Sequence, residues 1–204
     1  MKKLLLLLPI TFLLFSSSTL AASTTTHTVK SGDTMWKIAV KYQVGCQEII
    51  DANPQVSNPN LIYPGQKLNV PTKSAEETST EQEILKLVNA EREKQGLSPL
   101  TLNWELSRVA KFKSEDMRDN NYFSHTSPTY GSPFQMMKSF GISYKSAGEN
   151  IAAGQKTAQA VMNDWMNSSG HRANILNENY TQLGVGKASG GSYGTYWTQM
   201  FIKP

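Results

Sequence analysis

The sequence predicts an α+β protein built in two parts. Three observations carry this. Residues 27–71 alternate between short extended and helical runs in the order strand, helix, helix, strand. A polar stretch, residues 72–80 (T-K-S-A-E-E-T-S-T), contains almost no apolar side chain and reads as a flexible linker. Residues 81–204 then show several amphipathic helical runs followed by two β-like segments among glycines. Hydrophobic residues make up 39% of the 204, so a packed core is expected in the longer part and a small one in the first.

In the first unit, His27-Thr28-Val29-Lys30 reads as a strand and Ser31-Gly32-Asp33 as a turn. Asp33 or Thr34 caps a helix carrying Trp36, Ile38, Ala39 and Tyr42. Gly45 precedes a second helix with Cys46, Ile49 and Ile50, and Asn53-Pro54 and Asn58-Pro59 break the pattern. Lys67-Leu68-Asn69-Val70 alternates as the closing strand. Trp36, Ile38 and Leu68 are expected in the core, and His27 on the surface.

The longer part opens with a capping box, Thr80-Glu81-Gln82-Glu83, before a helix carrying Ile84, Leu87 and Val88 that Gly96 ends. A second helix from about Asn103 aligns Leu106, Val109, Ala110 and Met117. Ser132-Pro133 starts a third, Thr157 to Asn167 forms a fourth, and Ser169-Gly170-His171 opens a short fifth. Residues 182–186 and 196–201 are the β-like pair, with Trp165 and Trp197 expected inside.

Composition narrows the function classes. The net charge is +4, and without Lys2 and Lys3 there are 18 basic against 16 acidic residues. That balance, with no basic run, excludes a nucleic-acid partner. Residues 1–22 combine Lys2-Lys3, a Leu-rich run and Ala21-Ala22, the pattern of a cleaved signal peptide; the run is too short to span a bilayer, and no transmembrane segment is expected after cleavage. The single cysteine, Cys46, leaves no internal disulfide and reads as a small buried apolar group.

The runs V-K-S-G-D-T-M-W-K-I-A, Y-Q-V, I-I-D-A-N-P and N-L-I-Y-P-G-Q-K-L-N-V-P resemble a LysM domain over residues 27–71. The resemblance implies binding of N-acetylglucosamine-containing glycan, peptidoglycan or a chitin-like polymer, between two loops. Gly32, Asp33 and Thr34 would form one side and Asn60, Leu61, Ile62 and Tyr63 the other. The wording N-P-N-L-I-Y-P-G-Q-K also resembles LysM proteins of spore-coat assembly, which implies a spore-envelope role as one alternative. Gly45 stands where that family often has a Ser or Thr cap.

The pieces N-A-E-R, Y-F-S-H, A-G-E-N-I-A, S-S-G-H-R-A-N-I-L, G-V-G and W-T-Q-M-F resemble, in order, secreted bacterial members of the CAP (SCP/PR-1-like) superfamily. That resemblance implies an α-β-α sandwich with a polar cleft, here His125, Glu149 and His171. It also implies that some members hold a divalent metal. Zn²⁺ or another divalent ion would be bound by His125 and His171, with Glu149 activating water or orienting a histidine. The stretch Trp165-Met166-Asn167-Ser168-Ser169 departs from the family where many members carry a second glutamate, so a carboxylate-pair mechanism lacks one group. Asn150, Asn174 and Gln199 are expected to support the cleft. No Ser-His-Asp or Cys-His set is visible.

Three functions follow as expectations. The first is a secreted, cell-wall-associated protein anchored by LysM, whose CAP domain binds a ligand, lipid or protein partner without catalysis. The second is a wall-directed metal-dependent hydrolase using His125, Glu149 and His171. The third is an assembly factor of the spore envelope.

Overall fold

The computed structural model describes residues 23–204; the expected signal peptide, residues 1–22, lies outside them. The first unit contains β1 (Thr24–Thr28), α1 (Met35–Tyr42), α2 (Cys46–Asp51) and β2 (Lys67–Pro71), with the two strands antiparallel from Thr24 against Pro71 to Thr28 against Lys67. Val29, Ile38, Ala39, Ile49, Leu68 and Val70 form its core. Asn53 is buried behind them and joins α2 to β2. Its amide donates to the carbonyls of Ile49 and Asn69, and its Oδ1 accepts from Asn69 N–H at 2.8 Å.

Two expectations fail here for geometric reasons. Trp36 is 58% exposed. The inward stripe of α1 is Met35, Ile38 and Ala39, and Trp36 lies one residue, about 100°, away from it. His27 is buried, because it is the one inward-facing position of β1; its ring bonds Tyr42 Oη at 3.1 Å and Asp33 Oδ2 at 2.8 Å. Of the two candidate caps for α1, Thr34 does the work, accepting from Lys37 N–H. Cys46 is half-buried against this core, and burial pushes its thiol pKa up.

The linker is shorter than expected. Helix α3 runs Ala75–Lys94, and its capping box is Ser74 with Glu77, not Thr80 with Glu83. The polar run stays helical because it is held from outside. Glu76 and Glu77 suit the positive end of the helix, Lys73 Nζ binds Glu81 at 2.7 Å, and Glu77 pairs with Lys111. Only residues 72–74 join β2 to α3.

The rest comprises β3 (Thr101–Leu102), α4 (Trp104–Asp119), α5 (Pro133–Ser139), β4 (Ser146–Ala153), α6 (Ala158–Asn167), α7 (Ser169–Ile175), β5 (Gln182–Ser189) and β6 (Thr195–Lys203). Asn103, Ser132 and Thr157 cap α4, α5 and α6 through their side chains, as their positions predict. The sheet order is β3-β5-β6-β4, with β3 parallel to β5 and the other pairs antiparallel. Strand β4 has no counterpart in the elements expected from sequence. Its S-A-G-E-N-I-A-A is rich in small residues, and pairing with β6 rather than propensity makes it a strand.

Helices cover both faces. Ile84, Val88, Trp165 and Ile175 pack with Leu183, Val185, Trp197 and Phe201 on one side, and Leu106, Val109, Ala110 and Met136 pack with Met200 and Ile202 on the other. Arg92 of α3 is buried and ties the first side together. It donates to the carbonyls of Ser98, Ile175, Asn177 and Tyr180. Helix α4 lies directly on β5, where Gly184 and Gly186 replace side chains. A methyl built on Gly186 would stand 2.2 Å from the Ala110 carbonyl carbon, and one on Gly184 2.4 Å from that of Leu106.

The two units meet at an ion pair of Arg108 with Glu48, with Nη2 to Oε2 at 2.8 Å. The guanidinium also rests on the rings of Phe112 and Phe140, each centroid 5.3 Å away. A Cβ at Gly45 would meet the far ends of the Glu48 and Arg108 side chains, which would have to shift to make room.

Gly186→Ala should destabilise the protein by about 3 kcal/mol, because α4's backbone must move off the sheet. Chemical denaturation measures it, and a change under about 0.5 kcal/mol would refute the close-packing account.

Candidate functional site

On the first unit, the two loops expected to hold glycan lie at the same end of the β1–β2 pair. They are stitched together through Val29, whose N–H donates to Gln66 O and whose O accepts from Gly65 N–H, both at 2.9 Å. Gly32 takes φ +83°, a left-handed turn that glycine adopts without strain. Asp33 is committed to the fold: its carboxyl is held below its ordinary pKa first by Lys30 N–H and then by His27. Thr34 spends its hydroxyl on the cap. Across from them Asn60 is exposed and Ile62 packs against the core. Leu61 and Tyr63 stand out into solvent, 52% and 59% exposed. The loops therefore present an exposed turn on one side, whose Gly32 O already accepts from Lys37 Nζ at 2.7 Å, and two apolar side chains on the other.

In the second unit, the cleft forms at β4, the edge strand. Glu149 on β4 points towards α4 with its side chain only 1% exposed, and Oε1 meets His125 Nδ1 at 2.7 Å. Its Oε2 is buried with no partner. His125 comes from the α4–α5 loop and is half open to solvent. His171 approaches from α7. Burial depresses its pKa, and nearby His125 adds to the depression.

The supports are in place. Asn150 Nδ2 donates to His171 O and Gln199 Oε1, both at 3.1 Å; Asn174 Nδ2 donates to Asn150 Oδ1 at 2.8 Å and to Glu149 O at 3.2 Å. These bonds lock the edge strand to α7.

Two buried charged residues of α4, which belong to none of the motifs in the sequence, brace the loop that carries His125. Lys113 is fully buried and donates Nζ to the carbonyls of Ser124 at 2.7 Å and His125 at 3.1 Å, and to Tyr122 Oη. Burial lowers its pKa, while Glu149 and Asp116 act against that. Asp116 accepts from Ser127 Oγ, Thr129 Oγ1, Asn120 Nδ2 and Tyr122 Oη. Burial pushes its pKa up, and those four bonds outweigh burial and bring it below the ordinary value. Together these two side chains fasten the loop that carries His125. A signal was available: Lys113 and Asp116 interrupt the apolar stripe Leu106, Val109, Ala110, Met117, where an unpaired charge would cost several kcal/mol.

The metal expectation meets a sparse donor set. Among the described residues no three His, Cys, Asp or Glu side chains gather closely enough to hold an ion. His125 Nε2 and the His171 ring are the donors on offer, because Glu149 is engaged on His125 Nδ1, the position of an orienting carboxylate.

Residues 85–201 match the family described as the cysteine-rich secretory protein family, CAP. The chain belongs to the CAP family. Residues 27–71 match the LysM domain, so the first unit is a LysM module and the second a CAP domain. The CAP protein is 58% identical over 138 residues to the uncharacterized protein YkwD of Bacillus subtilis, covering 67% of this chain and 52% of that protein. Its fold is similar to the crystal structure of an extracellular protein containing a SCP domain from Bacillus anthracis. That match has a TM-score of 0.57 at 37% identity and covers 69% of this chain and 47% of the other. The chain thus spans about half the length of these relatives. The LysM module has its own relatives. Over 48 residues it is 54% identical to the spore coat assembly protein ExsA of Bacillus cereus, covering 24% of this chain and 8% of that protein. Over 64 residues the chain is 44% identical to the N-acetylmuramoyl-L-alanine amidase sle1 of Staphylococcus epidermidis, covering 31% of this chain and 19% of that one. No described helix of the CAP protein is long and apolar enough to cross a membrane.

A depressed pKa means that protonating His171 is easier in the unfolded chain. Its contribution to stability is therefore present above the unfolded pKa and lost as pH falls from there through the lower folded pKa. In an NMR titration of the imidazole signals, His171 should have its midpoint below the usual 6.5. His125→Asn should raise that midpoint while leaving it below 6.5, since burial is the larger cause. No movement on His125→Asn would show that the two rings do not sense each other.

Proposed function

We propose that this protein is exported to the cell wall, holds N-acetylglucosamine-containing glycan through its LysM module, and presents the CAP cleft there as a ligand-binding site. The observation that carries the reading is the pair of exposed side chains, Leu61 and Tyr63, beside the exposed loop backbone at Gly32 of a LysM module. An acetamido sugar offers amide and hydroxyl groups to such a backbone and a methyl to such an apolar edge. The relative named for cleaving N-acetylmuramoyl-L-alanine, a unit of peptidoglycan, shares this segment, which favours peptidoglycan over chitin as the anchor. A lone small module binds weakly, so retention on an insoluble polymer is the natural mode. At the CAP cleft, a divalent ion such as Zn²⁺ would be held by His125 and His171, with Glu149 orienting the first.

One observation favours a hydrolase as the second reading. Glu149 Oε2 lies buried and unpartnered beside an imidazole whose Nε2 is free to take a proton. Turnover of a wall polymer with added Zn²⁺, abolished by Glu149→Ala, would establish it. Unchanged peptidoglycan and peptide pools would remove it. The ExsA relative favours the spore envelope as the place of action. A fluorescent fusion that labels vegetative walls and never forming spores would exclude that place.

The purified chain should sediment with insoluble peptidoglycan. Leu61→Ala combined with Tyr63→Ala should cut the retained fraction about tenfold, since two apolar contacts are lost at exposed positions. The thermal midpoint should stay within about 2 °C, as surface changes cost little. Retention equal to the unaltered chain would place the anchor elsewhere.

A further inference from the structure

The CAP cleft has an aromatic lip that none of the roles above uses. Phe123 and Tyr193 are 44% and 53% exposed, and their ring centroids lie 5.9 Å apart. They come from separate loops: Phe123 follows α4, and Tyr193 sits in the β5–β6 turn. Ser192 Oγ donates to Asn121 Oδ1 at 2.5 Å and fastens the two loops. Tyr193 leans edge-on against Tyr196, 5.7 Å away, which is fully buried and packs with Met117 and Ile151. The lip is therefore braced by the core rather than loosely hung.

Behind it lies a hollow of about 250 Å³ with a largely apolar lining that includes Phe123, Ile151 and Trp165, and with Gln155, Asp164 and His171 among its polar residues. Its polar wall is fixed and incomplete. Gln155 donates Nε2 to Asp164 Oδ2 at 2.8 Å, and its backbone carbonyl accepts from Trp197 Nε1 at 2.8 Å. Its Oε1 is buried with no donor. A buried acceptor left unpaired is costly, and a small side-chain shift that opens it to a bound N–H or O–H would relieve that cost.

We propose that this lip and hollow bind one pyranose ring of an N-acetylated glycan, so that the CAP domain is a second glycan-binding site on the chain. The apolar C–H face of a pyranose packs on an aromatic ring, and its hydroxyl and amide hydrogens suit the exposed carboxylate of Asp164, with Gln155 Oε1 behind it. The carboxylate of Asp164 disfavours an anionic ligand. The volume lies just under the range of drug-sized ligand pockets, about 300–1,000 Å³, and so takes one ring. The proposal rests on the anchoring reading for its choice of glycan, because the LysM module would bring that polymer to the cleft. Two weak sites joined on one chain gain affinity for a polymer that neither has alone.

The test is an NMR titration of the purified chain with chitotetraose, and in a second arm with peptidoglycan glycan strands stripped of their peptides. Two equivalents should bind. Phe123→Ala with Tyr193→Ala should weaken one of them by about tenfold or more, with shifts at residues 60–63 unchanged. Leu61→Ala with Tyr63→Ala should remove the other. Phe123→Tyr with Tyr193→Phe should keep both, and a thermal melt checks that each variant folds. Binding at the lip in either arm supports the proposal and names the source of the sugar. A single equivalent, lost with Leu61 and Tyr63 and indifferent to Phe123 and Tyr193, overturns it and leaves the anchor standing. A single equivalent with the opposite dependence keeps the lip and removes the anchor. No binding in either arm removes both.

Discussion

The close seating of α4 on β5 is the constraint on which the cleft depends. Gly184 and Gly186 leave no side chain between helix and strand, so the backbones approach to a distance that a single methyl would prevent. That approach fixes the height and rotation of α4. Lys113 and Asp116 then sit under the α4–α5 loop, where they collect its carbonyls and hydroxyls. The loop in turn sets His125 against Glu149 of β4. Two glycines with no chemistry of their own thus decide where an imidazole stands.

Three of the charges that the fold buries are answered in place. Lys113 faces three oxygens, Asp116 four donors, and Arg92 four carbonyls. Burying such groups is expensive, so each is weak evidence for stability and stronger evidence for a single defined geometry. The polar atoms left unanswered stand out against this. Among the described residues Ser146 Oγ, Glu149 Oε2, Gln155 Oε1, Tyr196 Oη and Gln199 Nε2 lack partners; Glu149 and Gln155 belong to the cleft region, Gln199 bonds its support Asn150, and Ser146 and Tyr196 lie elsewhere on β4 and β6. The unsatisfied capacity at Glu149 and Gln155 is what a bound ligand could answer.

Local chemistry made much of the architecture legible. Asn103, Ser132 with Pro133, and Thr157 begin helices because each offers an oxygen to an otherwise unpaired N–H, and that depends on only three or four residues. The β5–β6 pair was legible from its alternation and flanking glycines. The N-terminal start of α3 was not, because Ser74 and Thr80 both head an S/T-x-x-E pattern and the choice is made by Lys73, Glu81 and Lys111. Strand β4 was hidden for a related reason: its small residues carry little preference, and β6 supplies the order.

The sequence by itself determined the two-part α+β plan, the helix starts governed by side-chain caps, and the identity of His125, Glu149 and His171 as the polar residues to watch. Only the tertiary structure decided that His27 is inside and Trp36 outside, that Lys113 and Asp116 hold the His125 loop, and that Phe123 meets Tyr193 across 70 residues of chain. The physical reason is range. Caps and periodicity act within a turn or two of the chain, whereas burial, charge compensation and loop-to-loop contact depend on which distant surfaces the core brings together.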